Sequence, residues 1–90
     1  LNSFITTSVE NMNSMFSYCI GLTSLDLTTF STGLVTDMGG MFSRCSNLII
    51  LNLGEKFITQ NVENLGSMFD NCSNCSSTYC FITLSFYFFE

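Results

Sequence analysis

The apolar residues of the first third of the chain follow two different periods. In Val9, Met12, Met15, Phe16 and Cys19 the offsets are 0, 3, 6, 7 and 10. At about 100° per residue these positions share one arc of about 120°, which predicts a short amphipathic helix of two or three turns. Thr7 and Glu10 have the spacing of a capping box for its start. The period then changes. Leu22-Thr23-Ser24-Leu25-Asp26-Leu27 ends in strict alternation, a strand signature with Leu25 and Leu27 facing inward and Asp26 outward.

Both patterns return. A shift of 26 residues carries Phe4 to Phe30, Val9 to Val35, Met12 to Met38, Cys19 to Cys45 and Leu27 to Leu53. Eleven of the 24 positions compared between 4–27 and 30–53 are identical, enough to fix the register. A shift of 27 then carries Phe30 to Phe57, Val35 to Val62, Phe42 to Phe69 and Cys45 to Cys72, so one residue is added, and Gly54-Glu55-Lys56 is where a turn can absorb it. A repeat of this size predicts stacked units that bury their apolar faces against one another. The expected fold class is α/β: a short leucine-rich-repeat solenoid of about three helix–strand units with a small parallel sheet, in which Leu25 lies beside Leu51 and Leu27 beside Leu53. The units run over about 4–29, 30–56 and 57–90. Leu1-Asn2-Ser3-Phe4 matches Leu27-Thr28-Thr29-Phe30, so residues 1–3 read as the end of a preceding unit and the whole as a partial repeat domain. Asn61 is the N-cap expected for the third helix, and Gly39-Gly40 should weaken the second by about 1 kcal/mol per glycine relative to alanine.

Composition narrows the function. The net charge is −5 and the only cations are Arg44 and Lys56, so no basic face for nucleic acid or an anionic membrane surface is expected. Histidine is absent, which removes the commonest general base and metal ligand near neutral pH. The apolar run from Phe81 to Phe89 is too short to span a bilayer, and no direct membrane insertion is expected. At 90 residues the chain is one small domain, marginal on its own.

The string V-x-x-M-x-x-M-F-x-x-C-x-x-L-x-x-L-x-L-x-x-F resembles the BspA-like leucine-rich repeat family, and more closely the mycoplasma-type surface lipoprotein repeat. Val9, Met12, Met15, Phe16, Cys19, Leu22, Leu25, Leu27 and Phe30 carry the match, which extends to about residue 73. The resemblance implies a cell-surface or extracellular protein, with adhesion among the roles of such repeats.

Cys19, Cys45 and Cys72 occupy one slot in successive units and read as a ladder of buried thiols. Cys72-Ser73-Asn74-Cys75 is a CxxC, but it has neither a second pair nor a histidine to complete a zinc site. In an exported protein a disulfide among Cys72, Cys75 and Cys80 is the alternative. The five methionines read as core filler. Glu10, Asp37 and Glu63 fall at the expected helix starts, where the macrodipole favours acids. After Cys72 the pattern breaks. Phe81 to Phe86 restores the leucine spacing, so a loop over 74–79 and a strand around 82–87 are expected, with an out-of-frame tail as the rival account.

No catalytic constellation emerges, and neither an enzyme nor a cofactor is expected. The outward strand positions Ser24, Asp26, Thr28, Ile50 and Asn52 form the candidate binding face. A protein or host-surface ligand is the expected partner, alongside flanking repeats or self-association through apolar ends (Leu1, Phe4 and Met12 at one end, the Phe81–Phe89 tail at the other). A truncated array end or pseudogene fragment with only a structural role is the alternative.

Overall fold

A computed structural model describes residues 4–76. Leucine alternation does produce strands: β1 is Ser24–Leu27 and β2 is Ile50–Leu53. They pair in parallel, with Leu25 opposite Leu51 and Leu27 opposite Leu53. Leu25, Leu27 and Leu51 are buried while Asp26 and Asn52 are exposed, as period-two alternation requires. The added residue of the third unit falls in a turn at Glu55–Lys56.

The helices do not form. Among the described residues there is no α-helix, and the only helical element is a 3-10 turn at Ser73–Ser76. The expected helix–strand leucine-rich solenoid is therefore contradicted. The backbone shows why. A helix would send the Phe16 N–H back four residues, to Met12. Instead the N–H groups of Met12, Ser14, Phe16 and Tyr18 donate across to the carbonyls of Asp37, Gly39, Met41 and Ser43. Those of Met38, Gly40, Phe42 and Arg44 donate in the same way to Asn64, Gly66, Met68 and Asp70. Between these alternate residues the chain makes tight turns, with Met15, Ser17 and Cys19 each donating three residues back.

The sequence of this stretch favours such turns. Asn11, Asn13, Ser14 and Ser17 are short polar residues that compete with a helix for backbone hydrogen bonds. Twice in each unit the backbone enters the left-handed region: at Ser14 and Tyr18, at Gly40 and Arg44, and at Ser67 and Asn71. A right-handed helix cannot pass through these positions. Most of the apolar residues still reach one side, because successive four-residue turns bring positions three and four apart to the same face; Met15 and Leu65 are the exceptions and stand exposed. The expected caps are spent elsewhere. Val9 donates to the Thr6 carbonyl in a turn where the Thr7–Glu10 box was expected, and the Asn61 amide donates to Gly33 of the preceding unit.

The core lies between the turn ladder and the strands. Phe30, Phe42, Phe57, Leu27, Leu48, Met38, Met41 and Val35 are fully buried. The rings of Phe16, Phe42 and Phe69 stack through the three units, with centroids 5.8 and 5.3 Å apart. Met12, Met38, Met41 and Met68 fill the core, but Met15 is 40% exposed. Met12, expected at an exposed end, is buried; Phe4 and Ile5 are exposed there instead. Two buried threonines bridge units. The Thr6 hydroxyl accepts from Ser31 N–H and donates to its carbonyl, and Thr32 repeats the pair with Ile58. Among the described residues no buried side-chain nitrogen or oxygen lacks a partner.

No helix among the described residues is long and apolar enough to cross a membrane. The loop expected over 74–79 begins with the 3-10 turn. Its remainder, the strand expected around 82–87, Cys80 and Leu1 lie outside the described residues.

Candidate binding face

Parallel pairing places Ser24 beside Ile50 and Asp26 beside Asn52. Ser24, Asp26, Thr28 and Asn52 are exposed and Ile50 is half-buried, so four of the five expected residues share one two-strand face with a partly covered apolar edge, and Thr28 follows in the turn after β1. Asp26 is tied down within this face. Its Oδ1 accepts from the Thr28 N–H at 2.9 Å and from the Thr28 hydroxyl at 2.6 Å. Those two bonds favour the carboxylate and hold its pKa below the usual 3.8. At the end of β2 the next unit closes tightly on Thr28: a Cβ at Gly54 would run into the Thr28 carbonyl, so only glycine fits without a shift.

A second polar row lies at the start of the turn ladder. Asn11, Asp37 and Asn64 pair in register as isolated parallel bridges. Each side chain accepts the N–H two residues on, at Asn13, Gly39 and Gly66. The Asp37 carboxylate also accepts from the Asn13 and Asn64 amides, each at 3.1 Å to Oδ1. The Gly39 N–H, then Asn13, depress its pKa. The sequence signal for this row, which the helix reading of Asp37 passes over, is one slot filled three times by Asn or Asp. The macrodipole role expected for Glu10, Asp37 and Glu63 fails because among the described residues there is no α-helix for them to start.

The thiol ladder donates to backbone. Cys45 Sγ lies 3.0 Å from the Phe16 carbonyl and Cys72 Sγ 2.7 Å from that of Phe42. Cys19, Cys45 and Cys72 are free thiols. Burial pushes the Cys45 pKa from 9.0 up to about 11 and raises that of Cys72. Such neutral thiols are poor nucleophiles and poor metal ligands. Among the described residues no three His, Cys, Asp or Glu side chains cluster as a metal site.

One feature went unread in the sequence. Tyr18, Arg44 and Asn71 occupy one slot, and Ile20, Ser46 and Ser73 the slot two residues later. Together they line a groove of about 350 Å³, with the Arg44 guanidinium 5.3 Å from the centre of the Tyr18 ring. The signal was the variable slot beside the repeated cysteine. All three residues share a left-handed backbone, with φ of 65°, 62° and 60°.

A family model described as "Mycoplasma protein of unknown function, DUF285" matches residues 1–80. No curated protein and no solved structure matches the chain.

Proposed function

Because this chain belongs to the DUF285 family of Mycoplasma proteins, we propose that it is a non-catalytic repeat module that binds a protein or host-surface ligand at the cell surface or outside the cell. The observation that carries this reading is the exposed strand face. Ser24, Asp26 and Asn52 stand exposed on paired strands with Ile50 at their edge, Thr28 follows in the turn after β1, and backbone bonds between units hold the ladder behind them. Paired strands held by backbone hydrogen bonds lose less freedom on docking than an unstructured segment. Leucines at 22, 25, 27, 48, 51 and 53 support the finer likeness to BspA-like repeats, since they fill the same inward slots. No cofactor enters this role, and with two cations against seven acids neither nucleic acid nor an anionic membrane suits the chain as a partner.

Binding of the purified, fluorescently labelled chain to intact host cells tests the proposal. Ser24→Arg with Asn52→Arg should weaken binding at least tenfold while leaving the thermal midpoint unchanged, because both side chains are exposed and neither carries a core contact. Equal binding by the double variant, or no saturable binding by the native chain, would contradict it.

A further inference from the structure

We propose that the groove lined by Tyr18, Ile20, Arg44, Ser46, Asn71 and Ser73 binds a glutamate or aspartate side chain of an acidic peptide segment, with Arg44 as the carboxylate anchor. This adds a second contact site to the protein-binding role and rests on that role, but not on the strand face.

The groove crosses all three units, because each contributes the same two slots: Tyr18 and Ile20, Arg44 and Ser46, Asn71 and Ser73. Its cation is set up for use. Arg44 is one of two basic residues in a chain of net charge −5, and among the described residues no carboxylate is paired with it. Its guanidinium rests over the Tyr18 ring at 5.3 Å, an arrangement that restrains the long side chain and leaves the planar fork able to receive a carboxylate. Backbone bonding fixes the base of the row. The Arg44 N–H donates to the Asp70 carbonyl at 2.7 Å, and the Tyr18 N–H to Ser43 at 2.8 Å.

The other walls suit an amino-acid side chain better than a bare ion. Tyr18 and Ile20 are 63% and 52% exposed and offer apolar surface to the methylenes that precede a carboxylate. The Asn71 amide and the Ser46 hydroxyl line the same space and can donate to the second carboxylate oxygen or to peptide carbonyls. The acidic surroundings repel anions at long range, so selection has to come from the short-range pair. A charge-assisted, two-point guanidinium–carboxylate contact has the required strength and geometry.

The repeat itself supplies clean variants. Asn71 fills the Arg44 slot one unit later with the same left-handed backbone, φ 60° against 62°, so asparagine is compatible with the fold at 44 and arginine with it at 71. The experiment is an amide chemical-shift titration of the full chain with a blocked peptide, acetyl-Gly-Glu-Phe-Glu-Gly-amide. Its glutamine counterpart and sodium acetate serve as controls. Shifts should centre on Tyr18, Ile20, Arg44 and Ser46. Affinity should fall at least tenfold for the glutamine peptide and for Arg44→Asn, and rise severalfold for Asn71→Arg. Acetate should bind at least tenfold more weakly than the peptide. Equal affinity for the two peptides, shifts centred elsewhere, undiminished binding by Arg44→Asn or acetate binding as tightly as the peptide would each overturn the proposal. None of these results touches Ser24 or Asn52, so failure here leaves the strand-face proposal standing, and failure of cell binding leaves groove binding measurable.

Discussion

Cys45 shows how much one slot is constrained. Its thiol is buried in the core cluster that also holds Phe16, Phe42 and Leu48, donates to the Phe16 carbonyl, and has its pKa pushed up to about 11 by burial. A raised folded-state pKa stabilises the fold fully below the unfolded value of 9.0, and that contribution is lost as pH rises through about 11. Stability should therefore fall across this alkaline window, and Cys45→Ser should flatten the fall. Denaturant titrations at stepped pH read both effects. The repeated cysteine alone made its burial legible. The bridging role of Thr6 and Thr32 was not, because a threonine repeated at one slot looks the same in sequence whether its hydroxyl bonds within its own turn or to the next unit. Asp37 misled for a similar reason: an acid before an apolar run fits a helix start as well as an Asx turn.

At the scale of elements, strands were legible and helices were not. Two-residue alternation has one structural meaning when Leu25 and Leu27 must both face inward. Offsets of three and four have two, a helix or a run of tight turns, and periodicity cannot separate them. Local composition could have decided it, since Asn11, Asn13, Ser14, Gly39 and Gly40 all disfavour helix. Gly40 tests the difference by sign. Its φ is +63° and a Cβ there would lie 3.2 Å from the Ser14 hydroxyl. Gly40→Ala should cost about 1–2 kcal/mol in the left-handed turn, whereas in a helix interior it would stabilise by about 1 kcal/mol. Equilibrium unfolding in urea distinguishes the two.

Over the whole molecule, cohesion comes from contacts between units 24 to 30 residues apart, as in the pairs Asn13–Asp37 and Cys72–Phe42. Phe42 sits at the middle of this stack, fully buried between Phe16 and Phe69. Phe42→Ala removes ring contacts to both neighbours and leaves a cavity, at a cost of about 3–5 kcal/mol. A chain of this size has little more than that to lose, so the variant should be largely unfolded at 25 °C by near-ultraviolet circular dichroism. The repeat register already aligns Tyr18, Arg44 and Asn71 in one slot before the cysteines, but three unlike side chains in a slot carry no pattern, and alignment alone does not show that the slot lines a groove.

The fold is defined by hydrogen bonds that run between units instead of along helices. Scalar couplings across hydrogen bonds, from amide nitrogen to carbonyl carbon, read these partners directly in solution. The Phe16 nitrogen should couple to the Met41 carbonyl carbon, and the Phe42 nitrogen to that of Met68. Coupling of Phe16 to Met12 and of Phe42 to Met38, the partners four residues back, would mean that the helices form after all and that the turn ladder, with the groove built on it, is wrong.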